Sequence, residues 1–279
     1  IIPVGAPGVT VICRKIATRP ASTFMAPLSS RFDELDGQMW LDDVFVPWDR
    51  IFLMDITPEP MASWLFWHQL YCWLAKAEFT LGLALACTHA MGLVEHEPTL
   101  DYLIDLVIEV QTVRTCITAA ELDPEVTAQG YCIPNRLHIA PGSIAILKAR
   151  QRMAELLRIL PGSSLVVAPS DTDLASPEVG AGLAESFEGG GYTALQRAAL
   201  LQLASDHVCS ALDGRESAFE LHANGGVPAW RGRIRRYFSR YSELANGVMG
   251  SLSLEMPSID LEGLRAAPLA PRRPVTPPR

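Results

Sequence analysis

The chain has no CxxC pair, and its six cysteines, Cys13, Cys72, Cys87, Cys116, Cys132 and Cys209, do not gather at metal-ligand spacing. That pattern leads us to expect reduced thiols, no metal and a cytoplasmic setting. Basic residues are in deficit, 23 against 31 acids with a net charge of −8, and the pI is about 5.3. Such a balance argues against nucleic acid or an anionic membrane as partner. There is no G-x-S-x-G, no H-E-x-x-H, no P-loop or G-x-G-x-x-G pattern, and no Ser/His/Asp order that suggests a triad. No basic-then-apolar signal peptide opens the sequence. The longest apolar run, Phe79–Val94, is broken by Cys87, Thr88 and His89 and is shorter than the roughly 20 residues a membrane span needs. The chain starts at Ile1, without methionine and inside an apolar stretch, so we expect the C-terminal part of a longer protein. No internal repeat is found.

What is present is a folding composition: 49% hydrophobic and 19% charged residues over 279 positions, with a mean hydropathy of +0.17. That length suits one large domain or two ordinary ones. VTVIC (Val9–Cys13) and QMWLDDVFVP (Gln38–Pro47) predict strands between turn-forming clusters. ITPEP (Ile56–Pro60) breaks the chain, and beyond it the texture turns helical. Trp64–Val94 predicts a central helix. Thr99–Leu122 predicts a second, with Leu103, Leu106, Val107, Val110, Val113 and Ile117 at helical spacing. Pro124–Gly142 predicts a loop and Ser143–Leu160 a third helix, stopped by Pro161-Gly162. Leu165–Glu178 predicts an irregular connection with helix-start signals at Ser170 or Asp171, and Gly189–Gly191 punctuates the chain. Thr193–Glu220 predicts a fourth long helix, and a shorter piece spans Arg231–Val248. The expected fold is mainly α: a β segment over residues 1–57, an antiparallel helical bundle over 58–250, and a proline-rich tail over 251–279 whose end, 266–279, is expected to be disordered.

Four stretches carry candidate chemistry. Leu28–Phe52 concentrates Arg31, Asp33, Glu34, Asp36, Asp42, Asp43, Asp49 and Arg50. It holds no histidine, and strand alternation sends Asp42 and Asp43 to opposite faces. Turn formation and pairing with Arg31 and Arg50 are therefore expected over a metal site. His68 shares a helix face with Cys72 but has no further ligand nearby; it reads as a satisfied core histidine or as a polar handle for a planar ligand. In SALDGRESAFE (Ser210–Glu220), glycine inside a helix loses about 1 kcal/mol against alanine. That cost suggests close approach of backbone or another chain at Gly214, beside the natural phosphate or carboxylate fork of Arg215. LPGSSLVVAPS (Leu160–Ser170) could offer backbone N–H groups to an anion but reads better as a helix stop.

These phrases also carry a resemblance. GAPGVTVICR and PLSSRFDELDGQMWLDDVFVPWDRIF resemble the middle-to-C-terminal junction of the 4-hydroxyphenylacetate 3-hydroxylase family, the large oxygenase components of two-component, reduced-flavin-dependent phenol hydroxylases. HQLYCWLAKAEFTLGLAL resembles that family's first C-terminal helix through Lys76, Glu78, Phe79, Gly82 and Leu83. LPGSSLVVAPSDTDLASPEVG and RAALLQLASDHVCSALDGRESAFELHANGG are similar to two later segments, the second through Ser210, Gly214, Arg215, Phe219 and Glu220. The likeness runs from about Gly5 to Gly226.

The resemblance implies an acyl-CoA-dehydrogenase-like fold, of which this chain supplies the end of a small β-barrel domain and the helical bundle. It implies FAD as cofactor, arriving as FADH2 from a separate flavin reductase, and transfer of oxygen from O2 to the carbon ortho to a phenol hydroxyl. A homotetramer assembled through the bundle is implied as well. The protein's part would be a dry pocket and hydrogen bonds. The family's phenol-binding residues lie upstream, so no catalytic residue is assigned here. By position the flavin contacts fall on Trp67, His68 and Gln69 and on Ser210, Asp213, Gly214 and Arg215. Cys72 stands where many members carry Arg, Asp213 where Gly or Ser is common, and the Pro/Arg end departs from the usual helical finish. Two other readings are an incomplete, non-catalytic oligomerisation or flavin-binding module, and an enzyme like 4-hydroxybutyryl-CoA dehydratase. The latter draws an iron–sulfur cluster partly from a His and a Cys separated by six residues, and no His here has a Cys seven positions on.

Overall fold

The computed structural model describes residues 1–15, 22–52, 59–127, 130–222 and 225–265, with backbone alone at 59–62. Of the expected tail, 251–279, residues 266–279 lie outside the described residues, while 251–265 are described and include a short 3-10 turn at Glu262–Leu264.

Two strands, β1 (Val9–Cys13) and β2 (Gly37–Leu41), pair antiparallel with Val9 opposite Leu41 and Cys13 opposite Gly37. β1 falls where the sequence placed it. β2 ends sooner than expected: Asp42 and Asp43 form a bend, and Asp43 adopts φ of 48°. Acids tolerate that left-handed conformation better than the β-branched residues around them. The ribbon is exposed on both faces, with Ile12, Met39, Trp40 and Leu41 about half accessible. A short helix, α1 (Ser29–Phe32), lies between the strands in sequence.

Helix α2 (Glu59–Ala90) runs through the core. Its residues Ser63–Ala90 are long and apolar enough to cross a membrane by length and composition. Here Leu70, Ala84 and Cys87 are completely buried, and the helix packs on α3 (Glu97–Leu122), α4 (Arg136–Ile159) and α8 (Ala194–Cys209). On α3 the expected stripe is the buried one: Leu103, Leu106, Val110, Val113 and Ile117 face the core, with Val107 half-buried. Each fully buried aliphatic side chain stabilises by about 1.5–3 kcal/mol, so these stripes outweigh any surface ion pair.

α4 starts earlier than the sequence suggested, and Pro141 lies inside it rather than in a loop. Asn135 caps the helix by accepting from Leu137 N at 2.9 Å, so the start is fixed upstream of the proline, which removes one internal hydrogen bond. Gly142 lets α4 approach its neighbours: a Cβ there would lie 2.7 Å from Cys116 Cβ and 3.0 Å from Leu70 Cδ2.

The predicted irregular connection contains short helices, α5 (Ser164–Val167) and α6 (Asp171–Leu174), followed by α7 (Gly180–Phe187). Gly162, at φ of 57°, ends α4's approach, and Ser170 caps α6 with a reciprocal bond from Asp173. Thr193 and Gln196 form the same capping box on α8.

The expected single helix over Thr193–Glu220 is divided. Ser210 takes an extended conformation (φ −84°, ψ 167°), and α9 (Ala211–His222) begins beyond it. The Ser210 hydroxyl lies 3.2 Å from Asp213 N as an N-cap acceptor. Asp213 thus sits in a helix's first turn, where a negative charge is favourable. The later piece is two helices, α10 (Gly226–Tyr237) and α11 (Tyr241–Met249). α10 packs on α4, with Trp230 buried against Phe66 at 4.9 Å between ring centroids.

Candidate functional site

The N-terminal segment is pinned to the bundle at one buried carboxylate. Asp206, on α8, accepts from Leu28 N at 2.7 Å, from Ser29 N at 2.8 Å and from the Ser29 hydroxyl. It therefore caps α1 from 178 positions away. Sequence reasoning passed over Asp206; an acid placed among Leu201, Ala204 and Val208, all buried, was the available signal.

The acidic cluster does pair across segments, but not with Arg31 and Arg50. Asp33, nearly buried, binds Arg14 at 3.0 Å and also pairs with Arg215 of α9, and Arg14 reaches Asp36 at 3.5 Å. Strand pairing between β1 and β2 is what brings Arg14 to these acids. A cavity of about 470 Å³ opens here, bordered by Arg14, Lys15, Asp33, Ser210 and Arg215.

Asp213 and Gly214 face another way. Asp213 is 3.3 Å from the Arg158 guanidinium, which also donates from Nε to Val208 O at 2.7 Å and so satisfies the end of α8. Among the described residues nothing stands within 4 Å of a Cβ built on Gly214, so no close approach among them explains that glycine. Between α2, α4 and α9 lies a chain of charges: Lys76 binds Glu216 at 3.5 Å and Glu220 at 3.0 Å, and Glu220 also pairs with Arg150. Burial, with Arg150's charge, pulls the Lys76 ammonium down to about 8, and burial pulls Arg150 down to about 10.

The α2 candidates divide as well. Trp67 turns toward α3, donating from Nε1 to Glu121 at 2.9 Å beside the edge-on ring of Tyr71. His68 is exposed, which removes the core-histidine reading, and its Nε2 lies 3.6 Å from Cys72 Sγ. His68 and Gln69 border a largely apolar cavity of about 520 Å³ with Leu65, Trp73 and Phe219. The seven candidate residues thus serve four places: Trp67 at α3, His68 and Gln69 at this cavity, Ser210 and Arg215 at the lead-in, and Asp213 and Gly214 against α4. α9 is common to the last three. Among the described residues no group of three His, Cys, Asp or Glu could hold a metal ion.

A planar, phosphate-bearing group such as FAD meets suitable surfaces at two of these places. The His68–Gln69 cavity offers aromatic and apolar walls with His68, Gln69 and the Glu220 carboxylate among its polar side chains, and the Arg215 cavity offers cations whose carboxylate partner marks where an anion can sit.

A helical core entered by a short β ribbon, with an aromatic cavity on its first long helix and a cationic one on α9, defines a mainly helical module. The same fold occurs in the oxygenase component of 4-hydroxyphenylacetate 3-monooxygenase complexed with FAD and 4-hydroxyphenylacetate, with a TM-score of 0.82, 24% identity, and coverage of 89% of this chain and 54% of that one. It occurs too in an oxygen-tolerant archaeal 4-hydroxybutyryl-CoA dehydratase from N. maritimus, with a TM-score of 0.76, 20% identity, and coverage of 94% and 55%. The chain belongs to the 4-hydroxyphenylacetate 3-hydroxylase family: the family's C-terminal model matches residues 60–246 and its N-terminal model residues 1–53. Among curated relatives, the oxygenase component of 4-nitrophenol 4-monooxygenase/4-nitrocatechol 2-monooxygenase from Rhodococcus opacus is 30% identical over 244 residues, 84% of this chain and 45% of that protein. The chain spans about half the length of the relatives it matches.

Proposed function

We propose that this chain is the C-terminal part of a flavin-dependent monooxygenase that hydroxylates a phenolic substrate ortho to its hydroxyl, using FADH2 and O2. The observation that carries the reading is family membership over both segments in order, residues 1–53 and 60–246. A separate flavin reductase supplies the cofactor, the protein works in the cytoplasm, and the bundle assembles it into a tetramer. Residues 1–57 complete a middle β domain, and 58–250 form the bundle domain.

Reduced flavin, when bound, supplies the electrons that activate dioxygen. The residues here bind and orient. His68 and Gln69 present polar atoms at the edge of a largely apolar cavity that accepts a flat ring. Arg215 supplies the phosphate fork. Its pairing with Asp33 supports a guanidinium placed to hold an anion, and a phosphate must compete with that carboxylate. Ser210 supports Arg215 by starting α9. Asp213 is neutralised by Arg158 and so repels a phosphate less than a free acid.

Arg215→Ala in the full-length protein should weaken flavin binding by about 1–3 kcal/mol, the value of a charged hydrogen bond. Titration with FAD under anaerobic conditions checks this, and an unchanged affinity removes Arg215 from the site. The exposed apolar ribbon favours a second reading, an incomplete module that binds partners without catalysis. Hydroxylation of a phenol by the isolated chain supplied with FADH2 and O2 would exclude it. The dehydratase reading lacks its His–Cys spacing in this sequence.

A further inference from the structure

A cavity of about 390 Å³ lies where the lead-in meets the end of α8 and the start of α9. Leu28, Phe32, Phe79 and Leu212 make its apolar wall. His207 stands at its edge, with Phe79 packed edge-to-face at 5.1 Å between ring centroids.

The hydrogen bonds around His207 assign its proton. Thr80 Oγ1 donates to the Lys76 carbonyl at 2.9 Å and lies 2.8 Å from His207 Nε2. A hydroxyl has one proton and a carbonyl can only accept it, so Nε2 carries the imidazole hydrogen and donates to Thr80. Nδ1 is then a bare acceptor, and no partner for it is found among the described residues. Burial first, then the charges of Lys76 and Arg150, holds the imidazole down to about 4, which keeps the ring neutral near pH 7.

The charges around the cavity select against anions. Glu34, Asp206, Asp213 and Glu216 border it with Lys76. The Lys76 ammonium is already held by Glu216 and Glu220, and Asp206 is occupied by the lead-in. An anionic ring would meet four acids, and Lys76, the cation among the described residues that border the cavity, is already paired. A neutral ring with one hydroxyl meets an apolar wall and an unused acceptor.

We propose that this cavity is a binding site for a small neutral phenol, its ring against Phe79, Phe32 and Leu212 and its hydroxyl donating to Nδ1 of His207. The inference rests on the hydroxylase reading for phenols as the relevant compounds. The preference for neutral over anionic rings rests on the residues alone.

The test is 19F NMR titration of the full-length protein with 4-fluorophenol, with 4-fluoroanisole (no donor) and with 4-fluorophenylacetate (anionic), at pH 7. The bound component removed by Leu212→Trp, which fills the cavity from a half-buried position, isolates this site. For that component 4-fluoroanisole should bind about threefold to tenfold more weakly than 4-fluorophenol, the value of one net hydrogen bond. 4-Fluorophenylacetate should be weaker still, and His207→Leu should erase the phenol–anisole difference. Equal binding of phenol and anisole, or full 4-fluorophenol binding in Leu212→Trp, would overturn the site. Should His207→Leu fail to fold by circular dichroism, Leu212→Trp and the anisole comparison decide. FADH2-dependent hydroxylation is measured on the same samples. Turnover without Leu212→Trp-sensitive binding overturns the site and leaves the hydroxylase reading standing; such binding without turnover does the reverse.

Discussion

Asp206 and Arg240 show how far burial sets the value of a charge. Arg240 forms two short bonds to Glu243 three residues on, but both side chains are mostly exposed, and such pairs contribute tenths of a kcal/mol. Asp206 is buried and takes two backbone N–H groups and a hydroxyl from the lead-in. Asp206→Ala would leave those three donors without an acceptor. We expect a loss of about 2–4 kcal/mol, read as a lower urea midpoint. Ser29→Ala, which removes only the hydroxyl bond, should cost about 1 kcal/mol. Equal losses in the two variants would mean that the backbone caps contribute nothing.

At the scale of elements, close packing of α4 depends on a residue with no side chain. Gly142 faces Cys116 on α3 and Leu70 on α2. Gly142→Ala should destabilise by about 1–3 kcal/mol through overpacking, although alanine is the better helix former by about 1 kcal/mol. A thermal melt distinguishes the two, since a gain in stability would show that the helices can separate at no cost. Because the closest contact is Cys116 Cβ, Cys116→Ala should not rescue the variant. The junction at Ser210 is a second such detail. It starts α9 afresh, and within α9 Asp213 and Arg215, two residues apart, point to nearly opposite sides, Asp213 to Arg158 and Arg215 to the lead-in.

For the whole molecule, buried titratable groups set the response to acid. His207 is held at about 4 in the fold against about 6.5 unfolded. Between those values the unfolded chain binds the proton and the folded chain does not, so stability is present above pH 6.5 and is lost as pH falls toward 4. The full loss is on the order of 3 kcal/mol. His207→Gln keeps a donor for Thr80 and does not titrate, so its denaturation midpoint should fall less between pH 6.5 and 4. Parallel curves for the two proteins would rule His207 out as the source. Lys76 acts with the same sign in a higher range: its value near 8 lies below the usual lysine value, so the fold is penalised below pH 8 and stability rises from there toward about 10.4.

Much of the fold was legible along the chain. β1, the stripe Leu103–Leu106–Val110–Val113–Ile117, the Ser170 and Thr193 caps and the Gly162 stop all follow from interactions within a few residues, which the sequence spells out directly. The family likeness was legible for the same reason, since its phrases are local. The pairing of Asp33 with Arg14 and Arg215, the capping of α1 by Asp206, the open space at Gly214 and the free acceptor on His207 were not. Each depends on which side chains meet across 19 to 182 positions, and only the packing of α2, α8 and α9 against the lead-in decides that.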